Sequence, residues 1–121
     1  MQFEHFNISA PKALLEIVKD FYVNLFELEV GFRPHFSNQG YWLYFDNKPI
    51  VHLTQDEDRE HALGALDHIA FSLTGLIAFT LKLDALGVEY HVQEVRQIGI
   101  HQVFFHDPSG IKLEVNFHQE S

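Results

Sequence analysis

Leu66-Asp67-His68-Ile69-Ala70-Phe71 is an apolar strand pattern with one histidine set inside it. Three other segments likewise place one good metal ligand, histidine or glutamate, in a short apolar strand: Phe3-Glu4-His5-Phe6-Asn7-Ile8, Pro49-Ile50-Val51-His52-Leu53-Thr54 and Ile111-Lys112-Leu113-Glu114-Val115-Asn116. Successive side chains of a strand point to opposite faces, so residues of one parity share a face. Phe6 and Ile8, Val51 and Leu53, Ile69 and Phe71, and Leu113 and Val115 are therefore expected to pack against a helix. His5, His52, His68 and Glu114 are expected on the opposite face. By the same parity Glu4 goes with Phe6, on the helix side.

The intervening stretches complete two similar halves. Ser9-Ala10-Pro11 reads as a helix start with Ser9 as N-cap, and Leu14, Ile17, Val18, Phe21, Tyr22 and Leu25 follow at helical spacing. Strands are expected at 28–33, 41–45 and 49–54, with Asp46-Asn47-Lys48 as a hairpin turn. In the second half, strand 66–73 leads into a helix capped by Thr74, carrying Leu76, Phe79, Thr80, Leu83 and Leu86 and stopped by Gly87. Strands 88–95, 99–106 and 111–117 finish the chain. Each half is strand–helix–strand–strand–strand, an α+β pattern. The charged run 56–65 reads as a linker between module 1 (about 1–55) and module 2 (about 66–121), within a single domain spanning 1–121. His68 follows His5 by 63 residues and Glu114 follows His52 by 62, so the candidate ligands recur with the repeat.

Composition narrows the function classes. Eight Lys and Arg against seventeen Asp and Glu give a net charge of −9, which argues against nucleic acid as a partner. The absence of Cys removes thiolate ligands, thiol nucleophiles and disulfides, and agrees with a reducing compartment. No leader-like pattern occupies residues 1–25 and no apolar run approaches membrane-spanning length. The expectation is a cytoplasmic protein that contacts no membrane.

A single histidine in an apolar strand is usually a hydrogen-bonded core residue. A carboxylate such as Glu114 seldom stays buried unless it is paired or metal-bound. Four such positions at matched offsets point to one divalent metal held by His5, His52, His68 and Glu114. Neutral imidazole and carboxylate suit Fe(II), Zn, Ni, Mn or Co and leave positions open for substrate. His101 and His106 are candidate proton carriers, Glu114 is a candidate base, and Tyr41, Trp42, Tyr44 and Phe104 are candidate pocket walls.

At Asp67-His68-Ile69-Ala70-Phe71, and again along Phe104-Phe105-His106-Asp107-Pro108-Ser109-Gly110-Ile111-Lys112-Leu113-Glu114, the chain resembles the vicinal oxygen chelate superfamily. That superfamily includes glyoxalase I, extradiol dioxygenases and fosfomycin- and bleomycin-resistance proteins. The resemblance implies two βαβββ modules forming a U-shaped mixed sheet around a metal, in a homodimer that takes a small-molecule substrate with adjacent oxygens. It implies His5, His68 and Glu114 as a two-histidine, one-carboxylate triad, with His52 where bacterial glyoxalase I usually carries a carboxylate or Gln. Dioxygenase-like chemistry is the expectation. The alternatives are a glyoxalase I-like lyase or isomerase and a metal-free drug-binding resistance protein.

Overall fold

Phe6–Ala10 forms β1 and runs parallel to Lys48–Gln55 (β4), with Phe6 opposite Val51 and Ile8 opposite Leu53. Gly40–Phe45 (β3) pairs antiparallel with β4, and the short Glu29–Gly31 (β2) adds the edge, in the order β1-β4-β3-β2. Helix α1, Lys12–Phe26, packs on one face of this sheet through Leu15, Val18, Tyr22 and Leu25. Against them lie Ile8, Leu43, Val51 and Leu53, all buried. The structure is a computed structural model describing residues 1–60 and 65–118. It divides into two compact units, Met1–His61 and Ala62–Ser121.

The second unit repeats the plan. His68–Leu73 (β5) runs parallel to Lys112–His118 (β8), with Ile100–His106 (β7) and His91–Val95 (β6) beyond it, in the order β5-β8-β7-β6. Helix α2, Leu76–Ala85, buries Phe79 and Leu83. The Phe79 ring centroid lies 5.8 Å from that of Phe105 and 5.5 Å from that of Phe117. Val103, Leu113 and Val115 complete the core on the same face.

Several local expectations are corrected. Ser9 lies within β1 and does not cap α1. Pro11 holds the cap position, and the amide of Lys12 donates to the carboxylate of Glu57 at 3.0 Å. An acid from beyond β4 thus meets the helix start, where the helix dipole favours negative charge. Leu15, not Ile17, joins the core, and Ile17 stays 57% exposed. Gly75 in the left-handed region, rather than Thr74, precedes α2. Of the expected linker, residues 61–64 lie outside the described residues.

The β3–β4 hairpin sets the register near the candidate ligands. Asp46 and Asn47 both have positive φ (50° and 63°), the geometry of a two-residue turn matched to strand twist. From this turn Phe45 faces Lys48 and Tyr44 faces Pro49, but Leu43 then faces Val51. Ile50 is the extra residue of a β-bulge. Beyond the bulge Trp42 stands opposite His52.

Candidate metal centre

Within the second unit, His68 opens β5 beside Lys112 of β8, and Glu114 sits one step along, opposite Ala70. Parity puts His68 and Glu114 on the sheet face away from α2. The His68 ring donates from Nδ1 to the Asp67 carboxylate at 2.8 Å. A carboxylate can only accept here, so this bond leaves Nε2 as the nitrogen with a free electron pair. Nε2 faces Oε1 of Glu114 at 3.6 Å. The bond from His68, helped by Lys112, holds the Asp67 carboxyl below its usual range.

Two electron-pair donors facing each other call for a cation between them, a proton or a metal ion. Donors each about 2.0–2.2 Å from one ion lie about 3.0–3.5 Å apart. The observed 3.6 Å is close to that span. An imidazole anchored by a carboxylate on its other nitrogen is the usual outer support of a metal-binding histidine. This pair fits a divalent metal.

Within the first unit, His5 precedes β1 instead of lying inside it. Its Nδ1 donates to Glu4 at 2.8 Å, leaving Nε2 free as in His68. Glu4 therefore serves His5, contrary to the helix-side placement that parity suggested. His52 donates from Nε2 to the carbonyl of Pro49 at 3.1 Å, leaving its Nδ1 as the free nitrogen. The His5 and His52 rings stack, with centroids 3.7 Å apart and planes 13° apart. Trp42 stacks on the other face of His52, at 4.0 Å and 11°. A cavity of about 430 Å³ lies here, lined by Phe3, Glu4, Trp42, Lys48, Pro49 and His52.

Imidazole electron pairs lie in the ring plane, so stacked rings hold them in parallel planes. In this arrangement one of the two histidines can aim at a given ion, and the other must turn out of the stack to join it. Neither unit by itself gathers three potential donors among the described residues. Burial first, and the neighbouring His5 second, push the His52 pKa down and favour its neutral form.

The remaining candidates separate by face. Phe104 stands opposite Glu114, and His106 opposite Lys112, on the ligand face of their sheet. His101 stands opposite Phe117, on the helix side, where it lines a cavity with Leu76, Ile77 and Ala78 of α2. The sheet thus separates His101 from Glu114. Tyr41 likewise faces the helix, its hydroxyl donating to Glu16 of α1, whereas Trp42 belongs to the ligand face. Glu4 and Asp67 are supports outside the predicted ligand set. Their signal was the acid that immediately precedes each first-strand histidine. Asn116 is a third such residue, its Nδ2 donating to Glu114 Oε2 at 2.8 Å.

The sequence model of the Glyoxalase/Bleomycin resistance protein/Dioxygenase superfamily matches residues 10–115. The chain belongs to this superfamily. Among curated proteins, Glyoxylase I 4 of Arabidopsis thaliana is 31% identical over 105 residues, which are 77% of this chain and 60% of the relative. The chain thus spans about 60% of the length of that relative. Among solved structures, a glyoxylase/bleomycin resistance protein/dioxygenase domain from Frankia sp. is 16% identical. It aligns over 98% of both chains with a TM-score of 0.78. A mutant of the fosfomycin resistance protein FosX from Listeria monocytogenes, complexed with Mn(II) and 1S,2S-dihydroxypropylphosphonic acid, is 17% identical. It aligns over 98% of this chain and 92% of its own, with a TM-score of 0.76. At these identities both likenesses concern the superfamily's α+β fold.

Proposed function

We propose that this superfamily member is a metal-dependent enzyme whose divalent ion is held by His5, His68 and Glu114, with His52 as a fourth donor once its ring leaves the stack. The observation that carries the reading is the anchored pair of the second unit: Nδ1 of His68 tied to Asp67, and Nε2 facing Glu114 across 3.6 Å. The matching Glu4–His5 bond supports an equivalent role for His5. The substrate is a small molecule with two adjacent oxygens, and the protein works as a cytoplasmic homodimer. When bound, the ion would act as a Lewis acid on those oxygens.

The chain's own residues supply the rest. Asp67 and Glu4 fix the tautomers of His68 and His5. Glu114, with Oε2 occupied by Asn116, keeps Oε1 for the ion or for a proton of the substrate. His106, exposed at the end of β7 on the ligand face, is the proton carrier to solvent. His101 is given no part, because it faces α2. The named curated relative favours glyoxalase I-like proton transfer over the dioxygenase-like chemistry expected from the donor triad. The alternative reading is a metal-free drug-binding resistance protein.

Protein purified without chelators is expected to carry close to one divalent ion per chain, and H68A to lose it. It is expected to turn over hemithioacetals when loaded with Mn(II), Ni(II) or Zn(II), and to leave catechols untouched when loaded with Fe(II). Absence of stoichiometric metal, together with unchanged behaviour of H68A, would sink the enzyme reading. Turnover of catechols would restore the dioxygenase alternative.

A further inference from the structure

Asn116 lies two residues after Glu114 on β8, on the same face, between Ser72 of β5 and Gln102 of β7. Its Nδ2 donates to Oε2 of Glu114 at 2.8 Å, while Oε1 of the same carboxylate faces His68 Nε2 at 3.6 Å. The amide cannot be reversed without setting its oxygen against a carboxylate. Its Oδ1 is buried and has no hydrogen-bond partner among the described residues. Buried polar atoms are nearly always paired, so this acceptor works against folding.

We propose that Asn116 is a positioning residue for the metal. By occupying Oε2 it holds the Glu114 carboxylate with Oε1 toward His68 Nε2, so that Glu114 would offer an ion that one oxygen. The inference rests on the proposed metal site and adds the mode in which Glu114 binds. A carboxylate freed of this bond can rotate and offer both oxygens, or neither in the right direction. Outer-shell supports of this kind typically change metal affinity by roughly 10- to 100-fold.

The test compares wild type with Asn116→Val and Asn116→Thr, and with Glu114→Gln as the control for the ligand itself. Mn(II) affinity is measured by chelator competition, the visible spectrum of the Co(II)-loaded protein reports coordination, and the metal-free melting temperature reports folding. The expected result for Asn116→Val is a Kd for Mn(II) raised roughly 10- to 100-fold, with an altered Co(II) spectrum. Its metal-free melting temperature should stay within a few degrees of wild type, because removing the unpaired acceptor offsets the loss of the bond to Glu114. A purely structural role would instead lower the melting temperature and leave the Co(II) spectrum of the folded fraction unchanged. Asn116→Thr, which suits a strand, repeats the measurement if the valine variant folds poorly. Affinity within about twofold of wild type in a folded variant, with Glu114→Gln impaired, overturns the role of Asn116 alone. Undiminished Mn(II) binding by Glu114→Gln overturns the metal site, and this inference with it.

Discussion

His52 is held between two rings, and this makes its charge state sensitive to its surroundings. Burial and the adjacent His5 lower its pKa, so folding favours the neutral imidazole. That contribution to stability is present above the ordinary histidine pKa and is lost as pH falls through the lowered one. In metal-free protein the ring proton of His52, followed by NMR, should titrate below the ordinary histidine range. Trp42→Ala should move the midpoint back up by opening one face to water. A midpoint in wild type at or above the ordinary value would contradict the stack. His52 and Glu114 were readable in the sequence as polar residues in apolar strands, whereas the hydrogen bonds that decide which atoms they offer were not. Those bonds depend on Pro49 and Asn116, which no spacing rule singles out.

Helix α1 is fastened to β3 by a polar bond as well as by its apolar face. Tyr41 donates its hydroxyl to Glu16, and Lys19 bonds the same carboxyl at 3.1 Å. The Tyr41 bond, more than Lys19, lowers the Glu16 pKa, and the same bond raises that of Tyr41. Stability from Glu16 is therefore present above the unfolded carboxylate pKa and lost as pH falls through the lowered value. Tyr41→Phe should cost about 1 kcal/mol in denaturant unfolding at neutral pH, reduced by the exposure of the pair, and less at acid pH. An equal loss at both pH values would mean that the ring, not the bond, matters. The succession of strands along the chain and the parity of Val51, Leu53, Leu113 and Val115 were legible because alternation is a local signal. The bulge at Ile50 was not. Counted from the Asp46-Asn47 turn, an unbroken register would set Trp42 against Val51 and Tyr41 against His52. One extra residue instead sets Trp42 against His52 and Tyr41 against Leu53, because a slip of one moves side chains to the other face.

At the scale of the whole molecule, the two units carry separate cores and one plan, and that repeat was visible in the spacing of His5 to His68 and His52 to Glu114. A ligand that binds only the folded state stabilises it by mass action, about 2.7 kcal/mol at 100 times Kd. With Mn(II) in such excess, the melting temperature of wild type should rise by about ten degrees, on the order of 8–14 °C for a chain of this size. Chelator should abolish the rise, and Glu114→Gln should not show it. A rise of equal size in Glu114→Gln would place binding elsewhere on this strongly acidic surface. The three-ring stack has one more consequence. Trp42 is the chain's single tryptophan, and a protonated imidazole lying flat on an indole drains its excited state. The protein thus carries its own optical gauge: emission should dim in acid as His52 gains a proton and brighten when an ion draws that ring away.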